Sequence, residues 1–191
     1  QAAEASARRE RVLTALEEFA VACLRLDRDE ARAQIARHPE LVRASEPLAA
    51  AARRNRTDVI ELLLELGTSP DVANATNERA LHAAAYEGSL DAARLLIARG
   101  AEVDAVESNW NNTPLGAAVY AQRTPMIDLL GRYSRDLWEL VYAGKVDRVA
   151  ALLADRPELA RVSTAAGNTP LTWLPPDDEV RATALARLFL E

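Results

Sequence analysis

Residues 78–104, ERALHAAAYEGSLDAARLLIARGAEVD, decide the fold. Three consecutive alanines at 83–85 are followed by Gly88, by a second apolar segment around Leu95 and Leu96, and by Gly100. The alanines predict a thin first helix, because small side chains bury little apolar area unless a neighbouring helix approaches closely. The two glycines suit the turn between two helices and the end of the second one, where a positive φ is favoured. The stretch therefore predicts a short helix, a tight turn and a longer amphipathic helix.

The same pattern recurs along the chain. Residues 46–71, EPLAAAARRNRTDVIELLLELGTSPD, place equivalent residues 33 positions earlier, and NTPLGAAV at 112–119 begins a copy 34 positions later. Residues 136–159, DLWELVYAGKVDRVAALLADRPEL, and residues 168–174, NTPLTWL, begin two more, and residues 19–23 align with the alanine helix. Self-similarity at such a period is typical of solenoids, in which each unit buries its apolar face against its neighbours.

This pattern resembles the ankyrin repeat, whose hallmarks are a Thr-Pro-Leu-His start, a pair of alanines, a glycine turn and a Leu-Leu helix. RALHAAAYEG at 79–88, RLLIARGAEVD at 94–104 and NTPLGAAV carry the resemblance, which covers about residues 15–191. It implies an all-α fold, a solenoid of stacked helix-turn-helix units joined by short hairpin loops. It also implies that His82 is a scaffold residue whose ring hydrogen-bonds to neighbouring backbone.

We expect a single ankyrin-repeat domain over residues 1–191. Its six units would cover about residues 12–44, 45–77, 78–110, 111–134, 135–165 and 166–191. The step from Leu115 to Leu137 is only 22 residues, so the hairpin loop between units 4 and 5 should be largely missing. Units 1 and 5 share a Pro-Glu-Leu ending, which indicates two arrays in tandem with a boundary near residue 134.

The composition limits the kinds of partner. The net charge is −6, with 29 acidic against 23 basic residues. An acidic protein is repelled by a phosphate backbone, so we expect no nucleic-acid partner. No apolar run approaches the roughly 20 residues needed to span a bilayer, so we expect no membrane insertion.

The same composition bears on location and origin. Cys23 is the only cysteine, which fits a reducing compartment and predicts a cytoplasmic protein. The chain opens on Gln1 rather than Met, so an upstream segment is expected, and a periplasmic or secreted location stays open. The Ala- and Arg-rich usage, with Lys145 as the sole lysine, indicates a high-GC and hence bacterial genome.

The inventory of groups that could carry catalysis is small. The chain has two histidines, His38 and His82, and none of the motifs HExxH, GxSxG, GxGxxG or the P-loop. Cys23 aligns with the alanine pair, so we expect a buried packing residue, whereas His38 beside a proline at a helix end should be exposed. We therefore expect a protein that is not an enzyme, with no cofactor, catalytic residue or metal site.

The resemblance implies that loops and first helices line a concave binding groove. The position after the alanine pair reads, through units 1 to 6, Leu24, Arg53, Tyr86, Tyr120, Tyr142 and Pro176. Tyrosine is a good contact residue, since it offers a large area, few rotatable bonds and a hydroxyl. The predicted partner-binding residues are Tyr86, Tyr120, Tyr142, Arg53, Arg54 and, near a hairpin tip, Trp110. An open alternative is that each tyrosine only packs against the next helix.

These residues predict a non-catalytic module that binds a protein or peptide on its concave face. A mixed row of arginine and tyrosine would suit an extended segment carrying some acidic residues. Two alternatives stay open at this point. The array could be a regulatory or inhibitory domain of a longer protein, or a bacterial effector or immunity-type protein that neutralises a partner.

Overall fold

The computed structural model describes residues 14–190. Within that range the regular structure is helical, and β-structure is limited to two isolated bridges, Ala73 with Arg79 and Glu107 with Asn112. The all-α prediction is confirmed. The chain forms a helical solenoid, because each short element can bury its apolar face only against the next one along the sequence.

The helices follow one another with short turns and loops. The α-helices of residues 14–190 are α1 (14–24), α2 (Arg28–Arg37), α3 (Glu46–Arg53), α4 (Thr57–Glu65), α5 (Ala80–Glu87), α6 (Leu90–Ala98), α7 (Pro114–Tyr120), α8 (Thr124–Leu130), α9 (Leu137–Tyr142), α10 (Val146–Asp155) and α11 (Glu179–Leu190). Short 3₁₀ helices occupy Pro39–Arg43, Pro157–Arg161 and Pro170–Trp173. The two Pro-Glu-Leu sequences thus adopt the same local structure.

Helices pair within a unit and stack between units. α3 packs on α4, α5 on α6, α7 on α8 and α9 on α10. The first helices α3, α5 and α7 stack in sequence, as do the second helices α4, α6 and α8. In the last pair the first member is the 3₁₀ helix Pro170–Trp173, which packs on α9, and α11 packs on α10. We propose six units, each of which contains one first helix and one second helix.

Small side chains allow the first helices to stack closely. Ala51 and Ala52 of α3, Ala84 and Ala85 of α5 and Ala118 of α7 are fully buried. Larger apolar side chains from both helices of a pair complete the core, including Leu48, Leu81 and Leu115 of the first helices and Ile60, Leu63, Leu96 and Leu130 of the second helices. The alanines therefore fill the interface between helices.

The turn between paired helices uses a left-handed residue in five units. φ is positive at Leu26, Asn55, Gly88, Gln122 and Gly144, which occupy equivalent positions. Only two of these residues are glycines, and a residue with a Cβ is disfavoured in this region. The repeat geometry therefore imposes the conformation where the sequence does not favour it.

A side chain just before the second helix ties each unit to the one before it. The donor-to-carbonyl contacts are Arg56 Nη2 to Leu24 O (3.4 Å), Ser89 Oγ to Arg53 O (3.0 Å) and Arg123 Nε to Tyr86 O (3.0 Å). In the next unit Lys145 holds this position, and its Nζ lies 2.5 Å from Asp128 Oδ1 instead. The repeating bond therefore changes between α7 and α9.

The same step has the shortened connection that the sequence predicts. The loop between α8 and α9 covers residues 131–136, whereas the loops before α5 and α7 cover residues 66–79 and 99–113. One inter-unit bond is nevertheless kept there, because Asp104 Oδ2 accepts from Arg135 N at 2.8 Å, as Asp71 Oδ1 accepts from Glu102 N at 2.9 Å. A boundary between two arrays near residue 134 stays a proposal.

We predict that Ala84→Leu lowers the free energy of unfolding by about 1–3 kcal/mol, because added methylenes overpack a fully buried contact between α5 and its neighbours. Ala98→Leu, at an exposed position of α6, is the matched control and should change stability by less than about 0.5 kcal/mol. Urea denaturation measures both. Equal effects of the two substitutions would contradict the close-stacking explanation.

Candidate functional site

A cavity of about 820 Å³ opens beside the first helices α5, α7 and α9. Its walls combine aromatic rings with carboxylates. The aromatic residues that line it are Tyr86, Tyr120, Tyr142, Trp110 and Trp173, and the acidic ones are Glu78, Glu107 and Glu139. We call this cavity and its rim the aromatic groove. It brings together four of the six residues predicted as partner contacts.

The three tyrosines lie at the same position of consecutive first helices, at the end of α7 and α9 and one residue before the end of α5. Tyr86 and Tyr120 are stacked, with ring centroids 6.3 Å apart and an interplanar angle of 24°. Their exposed fractions are 48% for Tyr86, 77% for Tyr120 and 42% for Tyr142. Each tyrosine therefore contacts a neighbouring ring and still exposes a large part of its surface to solvent.

Trp173 closes the aromatic row at the side of the last unit. Its ring meets Tyr142 edge-on at a centroid distance of 6.2 Å and Trp138 at 5.8 Å. The sequence pattern does not single out Trp173 as a site residue. The signal was present, since Trp173 lies in the NTPLTWL copy of the motif, but the 3₁₀ geometry that turns it toward Tyr142 has no counterpart in the other units.

Trp110 is 85% exposed at the rim of the aromatic groove. Its loop is held in place from both sides. The Glu107 carboxylate accepts from Asn109 N at 2.7 Å and from Trp110 N at 2.8 Å, and Ser108 N donates to Thr76 O at 2.8 Å. A large apolar ring is thus presented to solvent by an ordered loop, which reduces the entropy lost when a partner covers it.

Arg53 and Arg54 lie outside the lining of the aromatic groove. Arg53 Nη2 is 3.3 Å from Glu78 Oε1, and Arg54 Nη1 donates to Ala50 O at 3.1 Å. The structure therefore does not join the two arginines with the tyrosines as a single row. The described residues that line the groove include three glutamates and no lysine or arginine, although Arg123 lies next to the lining with its Nε on Tyr86 O.

Glu139 is the main residue of the groove that the sequence pattern does not predict as a site residue. Its side chain lies over Gly116, where an added Cβ would overlap Asn112 Oδ1 and come within 2.7 Å of Glu139 Oε1, so both side chains use the space that the glycine leaves open. Burial, assisted by the nearby Asp136 carboxylate, raises the pKa of Glu139 to about 7. The sequence signal was a glutamate inside the apolar segment LWELVY of α9.

His82 and Cys23 belong to the scaffold. The His82 ring is buried, its Nδ1 accepts from Arg79 N at 3.2 Å, and its Nε2 therefore donates to Ala105 O at 3.0 Å. Burial lowers the pKa of His82, and burial raises the pKa of Cys23 to about 12. His38 is only partly exposed, with Nδ1 3.6 Å from Glu40 Oε1. In residues 14–190 no cluster of three or more His, Cys, Asp or Glu side chains is arranged to hold a metal ion.

The fold and the groove define a stacked helical-repeat protein with a cavity lined by aromatic side chains. The chain belongs to the ankyrin repeat family, since the family described as "Ankyrin repeats (3 copies)" matches residues 29–107 and 48–139. Ankyrin repeats are generally protein–protein interaction modules and are typically non-catalytic.

Two curated proteins are similar to parts of the chain. Potassium channel KOR2 of Oryza sativa subsp. japonica is 36% identical over 78 residues, which are 41% of this chain and 11% of the channel. Protein PhlB of Serratia liquefaciens is 39% identical over 66 residues, which are 35% of this chain and 29% of that protein. The chain thus spans less than a third of the length of either relative. Within residues 14–190, none of the helices combines the length and apolar character needed to cross a bilayer.

We predict that the stability difference between Glu139→Gln and the parent protein depends on pH. The raised pKa of Glu139 means that the folded protein holds a proton that the unfolded chain has released above about pH 4.5. This carboxyl therefore contributes a loss of stability to the parent as pH rises from 5 to 8, and Glu139→Gln should gain on the parent by on the order of 1–2 kcal/mol, after allowing for solvent screening.

Urea denaturation at pH 5 and pH 8 measures this difference. Glu158→Gln removes one exposed carboxylate outside the groove and is the matched control, which should follow the parent at both pH values. A Glu139→Gln variant whose stability relative to the parent is the same at pH 5 and pH 8 would show that burial does not perturb this carboxyl.

Proposed function

We propose that the chain is a non-catalytic interaction module that binds an extended segment of a protein partner in the aromatic groove. Tyr86, Tyr120, Tyr142 and Trp110 are the proposed contacts along three successive first helices. The observation that carries the proposal is the row of half-exposed rings beside a cavity of about 820 Å³. Arg53 and Arg54 would contact the same partner beyond the α5 end of the row.

The physical support is the kind of surface these residues form. Tyrosine and tryptophan bury a large area on binding at little cost in side-chain entropy, and they are enriched at interface hot spots. The rings here are already ordered, because Tyr86 stacks on Tyr120 and Tyr142 meets Trp173. An extended segment that crosses α5, α7 and α9 would contact each ring in turn.

A non-catalytic role is supported by the positions of the reactive groups. Cys23 is buried in the core, and His82 lines the groove with both ring nitrogens already hydrogen-bonded to backbone groups, so neither offers a free nucleophile or base. We place the module in the cytoplasm, since its single cysteine suits a reducing compartment.

A second candidate is a regulatory or inhibitory role within a longer polypeptide. It is supported by the similarity to Potassium channel KOR2, in which the matching segment is a small part of a much longer protein. In that role the partner segment would belong to the same polypeptide. The groove and its contact residues would be the same.

We predict that peptides selected from a random displayed library against this chain bind through the tyrosine row. Tyr86→Ala combined with Tyr120→Ala should weaken their binding at least tenfold, since truncating an aromatic hot-spot residue costs about 2 kcal/mol or more. The measurement is fluorescence polarisation with labelled peptide, together with thermal unfolding of each variant.

Tyr133→Ala is the matched control, because Tyr133 is half exposed but lies outside the groove. It should leave peptide affinity unchanged. A library that yields no specific binder, or binders lost equally with Tyr133→Ala, would overturn the proposed function.

A further inference from the structure

We propose that the aromatic groove recognises a basic side chain, an arginine or lysine of the partner segment, with the Glu139 carboxylate as its counter-ion and the surrounding rings as its walls. The inference rests on the proposed function and specifies the chemistry of the partner. From Arg53 and Arg54 the sequence alone predicts a partner segment with acidic residues, whereas the inference assigns a basic residue to that segment.

The carboxylates of the groove differ in how well they are satisfied. Glu78 pairs with Arg53 and accepts from Asn74 Nδ2 at 3.0 Å, and Glu107 accepts two backbone N–H groups of its own loop. The Glu139 carboxylate has no hydrogen-bond or ion-pair partner among residues 14–190. It is therefore the one groove carboxylate with its full capacity to accept donors from a partner.

A partly buried carboxylate without a counter-ion is costly, and a cation brought by a partner offsets that cost. Gly116 leaves room for the Glu139 side chain, and Asp136 caps the start of α9 by accepting from Trp138 N and Glu139 N, which positions the backbone of Glu139. Charge-assisted hydrogen bonds to a carboxylate are stronger than neutral ones, so this unpaired acceptor favours a cationic donor.

The rings favour the same kind of occupant. Tyr120, Tyr142 and Trp173 line the cavity that Glu139 lines. The faces of tyrosine and tryptophan attract ammonium and guanidinium groups, and the attraction grows as water is excluded. An acidic side chain would meet the carboxylates of Glu107 and Glu139, which have no cationic partner among the described residues, so like-charge repulsion disfavours it.

The test is a double-mutant cycle with a peptide selected against the parent protein. The probes are that peptide and its version in which the basic residue is replaced by glutamine. Glu139→Gln and the peptide replacement should each weaken binding about tenfold, and the two together should weaken it little more than either alone. Glu158→Gln, the matched control, should leave the affinity unchanged.

The pH dependence gives a second readout. Asp136 is the charged group that acts on Glu139, and Glu107, Glu78 and His82 are the other acidic or histidine side chains that line the same cavity. A cation bound to Glu139 favours its ionised form, so the parent should bind the basic peptide more tightly at pH 8 than at pH 5.5. The Glu139→Gln variant keeps these other side chains. If the variant no longer shows the pH dependence of peptide affinity, that dependence is due to Glu139.

Each outcome separates the inference from the proposed function. Selected peptides that require Tyr120 but carry no enriched arginine or lysine, or that carry acidic residues instead, overturn the inference and leave the groove as the binding site. If Glu139→Gln does not change the affinity for the selected peptide, the inference is also overturned and the groove remains the binding site. If the library yields no specific binder, both the inference and the proposed function are overturned. Enrichment of a basic residue, lost when selection is repeated on Glu139→Gln, supports the inference.

Discussion

The close approach of successive first helices is the constraint on which the rest of the structure depends. Fully buried alanines such as Ala51, Ala84 and Ala118 keep α3, α5 and α7 near one another. A repeat protein is stable only through such contacts between neighbours, because no single unit buries a sufficient core. The same spacing brings Tyr86 within stacking distance of Tyr120. The thin helices and the aromatic row are therefore two consequences of one packing arrangement.

The groove forms where the regular stack changes. From unit to unit a side chain ties back to the preceding carbonyl, until Lys145 turns to Asp128 instead. Beyond that point α9 carries Glu139 toward α7, and the 3₁₀ helix at Pro170–Trp173 brings a second aromatic wall. The departure from regularity thus adds a carboxylate and a tryptophan that identical repeats would not supply. We propose that this difference determines which partner the module selects.

Much of the fold could be predicted from the sequence, because the repeat is a local pattern. The period, the turn at Gly88 and the missing loop before Leu137 are all visible as spacings. The tyrosine row was visible for the same reason. The acidic character of the groove was not, since the pairing of Arg53 with Glu78 and the closeness of Glu139 to Gly116 depend on which side chains meet across units. Spacing alone does not contain that information.

The most direct test of a partner site in the aromatic groove is to record NMR signals of the tyrosine rings while a peptide is added. The chain has four tyrosines, three lining the groove and one, Tyr133, outside it. Labelling with ring-¹³C tyrosine gives one set of ring resonances for each, assigned by single Tyr→Phe substitutions. On titration with a selected peptide we expect the resonances of Tyr86, Tyr120 and Tyr142 to shift while those of Tyr133 stay fixed. Shifts confined to Tyr133, or binding that moves none of the four, would contradict a partner site in the aromatic groove.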